Sequence, residues 1–216
     1  MEGTSTSRFR NICVFCGSQP GKNGDFVDAA NNLGRVLAER KLNLVYGGGS
    51  LGLMGCVSTA ARVGGSKVLG IIPKPLAVEN LIGKTVGEEL QVLSMHARMA
   101  NMLFYADAFI ALPDGLGTLE EIFQIASWAQ LNLHKRPIGL LNVNHFFDDL
   151  FSFLDKAVES QFISQATRQI FVSASTANEL LDKLHTFVYE PGAVATQIDW
   201  TMGASKKREL DLTLRL

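Results

Sequence analysis

A doubly wound α/β sandwich on a mostly parallel sheet is what this sequence predicts, and three observations carry the prediction. Apolar strand-like runs take turns with amphipathic helix-like runs along nearly the whole chain. Runs such as Val68-Leu69-Gly70-Ile71-Ile72 are apolar without interruption, as in parallel strands covered on both faces. Two glycine-bearing turns, at 42–55 and 108–121, each lead from a strand into a helix. The class is therefore α/β, single-domain and Rossmann-like, with ligands held beyond the carboxyl ends of the strands.

The elements follow in order. A first strand at 11–16 feeds a helix at 24–40. A second strand at 42–46 runs into Gly47-Gly48-Gly49-Ser50-Leu51-Gly52 and a helix at 52–64. Strands at 67–72 and 90–94 come next, and Met95 opens a helix at 95–106. The strand at 108–112 passes through Pro113-Asp114-Gly115 into a helix at 117–132. Strands at 137–143 and 171–174 and helices at 145–159 and 176–188 complete the pattern. Residues 1–9 read as a flexible N-terminus, 10–189 as the domain and 190–216 as a tail. No solenoid-length repeat is present.

With 216 residues, 47% hydrophobic and 19% charged, the chain can bury one sizeable core and is short for two. A formal charge of −1 offers no footprint for nucleic acid. No apolar run approaches the roughly 20 residues of a membrane span, so no membrane partner is expected. The N-terminus has charges and hydroxyls where a signal peptide would be apolar, which predicts the cytoplasm, with the nucleus also open to it. Three cysteines in apolar segments fit reduced, buried thiols. Cys13 and Cys16 are three apart on a predicted strand and so face opposite ways, which argues against a shared metal or redox centre.

The turn at 108–121 has the layout of an anion site. Gly115 and Gly117 let backbone approach a ligand, and the free N–H groups of the helix that follows favour a phosphate. Gly47, Gly48 and Gly49 belong to a G-x-G-x-x-G match, but it follows the second strand and no acid appears between Gly52 and Glu79 to take a ribose hydroxyl. A structural turn or a mononucleotide contact fits better than a dinucleotide cofactor. Thr118 and Glu121 match a capping box, the bland reading of Glu121, yet a carboxylate in a first turn beside a phosphate loop is also where a sugar C1 would lie. Arg98, in the first turn of its helix, is either a solvated charge or a bidentate phosphate ligand. The four histidines show no metal-ligand spacing, and no metal is expected.

Taken together, Cys16-Gly17-Ser18, Tyr46-Gly47 with Gly49-Ser50, Gly52-Leu53-Met54-Gly55, Met95-His96 with Arg98, Trp128-Ala129-Gln130-Leu131 and the P-G-G-x-G-T-x-x-E-like run at 113–121 resemble the LONELY GUY family. The resemblance covers about residues 10–185. It implies hydrolysis of the N-glycosidic bond of a cytokinin riboside 5′-monophosphate to free base and ribose 5-phosphate. It also implies a homodimer that acts on a small nucleotide without a cofactor. By position, Arg98 and Glu121 are the implied catalytic pair. Gly115, Leu116, Gly117, Thr118, Leu119 and Glu120 are the implied nucleotide cradle, with Ser18 and Gly47 to Gly49 beside it. The lysine decarboxylase label once attached to this family lacks a lysine marked for a Schiff base.

Four site positions depart from the family pattern. Asp114 stands for a glycine, Met99 for a lysine, Asn80 for a glutamate and Ser127 for a threonine. The first two remove one positive charge and add one negative charge around an anionic substrate. A carboxylate about 5 Å from a phosphate charge costs roughly 3 kcal/mol at an effective dielectric near 20, before screening. The alternative expectation is thus a weakened or inactive member that binds a nucleotide or protein partner. The leucines at 210, 212, 214 and 216 follow a basic cluster and resemble short leucine-repeat motifs that bind corepressors, against the plainer reading of a packed arm or frayed end.

Overall fold

The computed structural model describes residues 9–190, 192, 195–198 and 200. Its strands are β1 (Asn11–Phe15), β2 (Asn43–Tyr46), β3 (Val68–Pro73), β4 (Glu88–Val92), β5 (Ala108–Ala111), β6 (Ile138–Leu141) and β7 (Phe171–Ala174). Interleaved with them are α1 (Gly24–Glu39), α2 (Gly52–Val63), α3 (Glu79–Ile82), α4 (Met95–Tyr105), α5 (Leu116–Gln130), α6 (Asp148–Glu159), α7 (Gln165–Arg168) and α8 (Ala177–Thr186). The strands form one sheet in the order β4-β3-β2-β1-β5-β6-β7, with every neighbouring pair parallel. The expected architecture is present, and its sheet is parallel throughout.

Alternation along the strands explains the two layers. Ile12, Val14 and Cys16 enter one core with Leu44, Tyr46, Ala108 and Ile110, where α1, α2 and α8 add Leu33, Val57 and Leu181. Cys13 and Phe15 enter the other with Val45, Phe109 and Leu140, where α4 and α5 add Met102 and Ile125. The period of two thus sends the two cysteines to opposite sides, and both are buried free thiols. Among the described residues no three His, Cys, Asp or Glu side chains are grouped to hold a metal ion, and no helix is long and apolar enough to cross a membrane.

Element boundaries differ from the sequence reading most clearly at β4 and α6. β4 starts at Glu88 rather than 90, because it is an edge strand with Glu88, Glu89 and Gln91 exposed and so does not look apolar. The helix expected from 145 begins at Asp148, after a 3-10 turn at Val143–His145 in which Asn144 and His145 take positive φ. Asn142 fixes that turn by accepting the Phe147 N–H and donating to Asp148. The short helices α3 and α7 were not expected, being too brief to show a period. Of the tail at 190–216, the described residues are exposed or only partly covered. Tyr189, the last residue of the domain, is buried, and beyond it the half-exposed Trp200 donates its indole N–H to the Leu131 carbonyl at 2.9 Å. The leucine repeat and its basic cluster lie outside the described residues.

His134 locks the end of α5 to the loop that follows. Its Nε2 donates to the Ile125 carbonyl at 2.9 Å, and its Nδ1 accepts the Arg136 N–H at 3.1 Å. Only the neutral ring can do both. Burial pushes the imidazole down from 6.5 to about 4, the Ile125 carbonyl pulling weakly the other way and the Arg136 charge adding to the push. Because the folded value lies below the unfolded one, this stability is complete above about pH 6.5 and is lost as pH falls toward 4. Between pH 7 and pH 5 the natural chain should lose about 2 kcal/mol more than His134→Gln in urea unfolding. Equal losses would show that the ring is not held neutral.

Candidate active site

The strand order reverses direction between β1 and β5, which opens a crevice at their carboxyl ends. A cleft of about 240 Å³ lies there. Its polar floor is Gly17, Ser18, Gly47, Arg98, Asp114, Gly117, Thr118 and Glu121. One wall is apolar, made by Met54, Ile72, Pro73, Leu76 and Ile82. A larger hollow of about 570 Å³ sits at the far ends of α5 and α6, but its described lining carries no acid or base besides the Tyr189 hydroxyl. The chemistry points to the smaller cleft.

Helix caps explain why α5 faces it. Asn23, Ser94 and Thr176 cap α1, α4 and α8 with their own side chains. The residue at the head of α5 is Gly115, which has no side chain to offer, so no side chain caps the first N–H groups of this helix. They and the helix dipole favour an anion at this end.

Glu121 is the best-held group in the cleft. The helix starts at Leu116, so Thr118 is its third residue rather than its cap, and the expected capping box does not form. Glu121 instead pairs with Arg98, Oε1 to Nη1 at 2.8 Å, and is only 5% exposed. Arg98 lies where the sequence put it, in the first turn of α4 at the carboxyl edge, and is no solvated surface charge. Its Nε donates to the Ile71 carbonyl at 3.3 Å. Burial pushes the Glu121 carboxyl up to about 7. The Arg98 guanidinium pulls it down, while Glu120 and Asp114 push it further up. A carboxyl that gains and loses its proton near neutrality suits acid–base work.

The other expected site residues divide. Ser18, Gly47, Asp114, Gly117 and Thr118 line the cleft, and Gly115 and the exposed Leu116 stand at its edge on the head of α5. Glu120 is exposed and Leu119 packs toward the core beneath the helix. Met99 contradicts the expectation: at 1% exposure it packs among Phe15, Phe109 and Ile122, because one step past Arg98 turns a helical side chain away from the cleft. Asn80 is exposed on α3 and does not line the cleft, although Ile82 of the same turn does. Ser127 is exposed and spends its hydroxyl on the Phe123 carbonyl at 2.7 Å, about three turns along α5 from its head.

The second glycine turn, although Gly47 lines the cleft, is largely braced from within. The Ser50 N–H is taken by the Ile82 carbonyl and the Met54 N–H by the Gly17 carbonyl, so neither is offered to a ligand. Gly48 takes φ +92°, and a Cβ there would overlap Ile72. The apolar wall was not foreseen. Met54 and Ile72 fall in a predicted helix and strand, Leu76 and Ile82 in no predicted element, and the one usable signal was Pro73-Lys74-Pro75, which ends a buried strand at the sheet's carboxyl edge.

A family model described as "Possible lysine decarboxylase" matches residues 54–184. Cytokinin riboside 5′-monophosphate phosphoribohydrolase LOG3 of Arabidopsis thaliana is 53% identical over 201 residues, covering 93% of this chain and 94% of its own. Cytokinin riboside 5′-monophosphate phosphoribohydrolase LOG of Oryza sativa subsp. japonica is 53% identical over 194 residues, 89% and 80% of the two chains. The chain belongs to the LONELY GUY family. Its fold also matches more distant solved structures. A molybdenum cofactor carrier protein from Chlamydomonas reinhardtii has a TM-score of 0.59 at 20% identity, covering 80% of this chain and 94% of that one. The molybdenum cofactor binding protein of Rippkaea orientalis has a TM-score of 0.60 at 22% identity, covering 80% and 93%. Those two likenesses are of fold alone.

The burial of Met99 in this family member makes a sharp prediction. Met99→Lys should not enrich the cleft in positive charge; it should place an ammonium in the core and lower stability by several kcal/mol in urea unfolding. If Met99→Lys left the chain as stable as the natural one, the side chain at this position would have to reach the cleft after all.

Proposed function

We propose that this chain hydrolyses the N-glycosidic bond of N6-substituted adenosine 5′-monophosphates of the cytokinin type, giving free base and ribose 5-phosphate. The observation that carries the reading is a buried Glu121–Arg98 pair at an uncapped helix head, in a chain about half identical to named phosphoribohydrolases along nearly its whole length. The working unit is residues 10–189, and the setting is the cytoplasm or nucleus. A homodimer is part of the reading, supported by Leu93, Met95 and Leu116, large apolar side chains left exposed.

The chemistry suits these groups. Breaking the C1–N bond passes through an oxocarbenium-like sugar, and a carboxylate near C1 stabilises that charge or orients the attacking water. Glu121 has that part. Water adds to C1 while the base leaves with the bonding pair and takes up a proton. Arg98 holds Glu121 in place and presents its remaining guanidinium edge to the nucleotide. The free N–H groups of α5 and Gly117 receive the phosphate, and the wall of Met54, Ile72, Leu76 and Ile82 accepts an apolar N6 substituent. Among the described residues no lysine lines the cleft, which leaves the decarboxylase description without an amine for a Schiff base. A second reading, a member with slow turnover, is favoured by the Asp114 carboxylate inside the cleft.

The test is release of free base from N6-isopentenyladenosine 5′-monophosphate, with ribose 5-phosphate formed in equal amount. Glu121→Gln keeps an acceptor for Arg98 but loses the charge, so turnover should fall about 10²-fold or more with the fold retained. No base release by the natural chain would remove the hydrolase reading. Full activity in the Gln variant would move the chemistry to another group.

A further inference from the structure

Asp114 carries a charge that the cleft does not balance. It sits immediately before Gly115, the residue at the head of α5, and therefore at the place where an uncapped helix end would draw an anion from outside. Two neighbours fix it there. Thr118 Oγ1 donates to its Oδ2 at 2.9 Å, and Gly17 makes room for it, since a Cβ at residue 17 would overlap the carboxylate. Arg98 is the one basic side chain among the described residues that line the cleft, and its charge is already engaged by Glu121. With all three groups ionised, the cleft side chains sum to one negative charge. Both Glu121 and the Cys16 thiol feel Asp114 as a neighbour that holds their protons on.

We propose that Asp114 is a specificity-determining residue that weakens the preference of this cleft for a nucleotide bearing a 5′-phosphate over the same nucleoside without one. The proposal rests on the nucleotide reading given above. A dianionic phosphate entering at the head of α5 meets the helix N–H groups, which attract it, and the fixed carboxylate, which repels it at close range. A nucleoside with a neutral 5′-hydroxyl meets no repulsion there, and the carboxylate can accept a hydrogen bond from that hydroxyl. The strict phosphate requirement that an open helix end would impose is thereby eroded. Thr118 strengthens the effect by preventing the carboxylate from swinging aside.

The experiment is calorimetric binding of AMP and of adenosine to the natural chain, Asp114→Asn and Asp114→Gly, with each variant's fold checked by thermal melting. Asn keeps an acceptor for Thr118 and so tests charge alone; Gly removes the side chain altogether. The expected result is an adenosine-to-AMP ratio of dissociation constants that rises at least tenfold in both variants. A ratio that stays within threefold of the natural chain's, or AMP binding too weak to measure in both variants, would overturn the proposal. Base release from the prenylated monophosphate is assayed in parallel. Binding ratios that rise without any base release would sustain the role of Asp114 while removing the hydrolase reading.

Discussion

The buried pair of Arg98 and Glu121 is the constraint around which the site is arranged. Two charges held away from water at 2.8 Å are stable only if their remaining valences are met, and removing either partner from such a pair typically costs about 3–5 kcal/mol. The surroundings answer this demand. Ile71 at the end of β3 accepts from the guanidinium, and Gly47 leaves space for it, since a Cβ there would come within 2.7 Å of Nη2. A glycine that the sequence offers as a structural turn or a nucleotide contact thus also serves to admit an arginine.

The same pair links the topology to the chemistry. Arg98 comes from α4, which follows the edge strand β4; Glu121 comes from α5, which follows β5 at the sheet's turning point. Neither helix reaches the cleft unless the chain runs out to one edge, returns to the centre beside β1 and continues the other way. Burial and the nearby Asp114 and Glu120 then hold the Glu121 proton on until about neutral pH, where a carboxyl can act as acid or base. The Cys16 thiol in the same cleft is pushed well above its usual range, first by burial and then by Glu121, and stays a neutral packing group.

Most of the fold was legible because its signals are local. Seven apolar runs gave seven strands, and uninterrupted apolarity marked a sheet covered on both faces. What escaped were elements whose signal is short or diluted, namely α3, α7 and the polar residues of β4. The site was legible to the extent that its residues are polar and lie in the strand-to-helix turns, as Arg98, Asp114, Thr118 and Glu121 do. Met99 and Ser127 do not line the cleft, because one or a few steps along a helix rotate a side chain toward the core or open solvent. Apolar ligand walls such as Ile72 and Ile82 carry no mark that separates them from core.

The claim on which the rest depends is that Glu121, though paired with an arginine, holds its proton to near neutrality because it is buried. Carbon-13 NMR of the glutamate side-chain carboxyls across pH 4 to 9, with the Glu121 resonance assigned by its loss in Glu121→Gln, measures this directly. A midpoint near 7 is the expected result. A midpoint below 5 would show that Arg98 dominates over burial, leaving a permanently ionised carboxylate and no acid–base role near neutral pH.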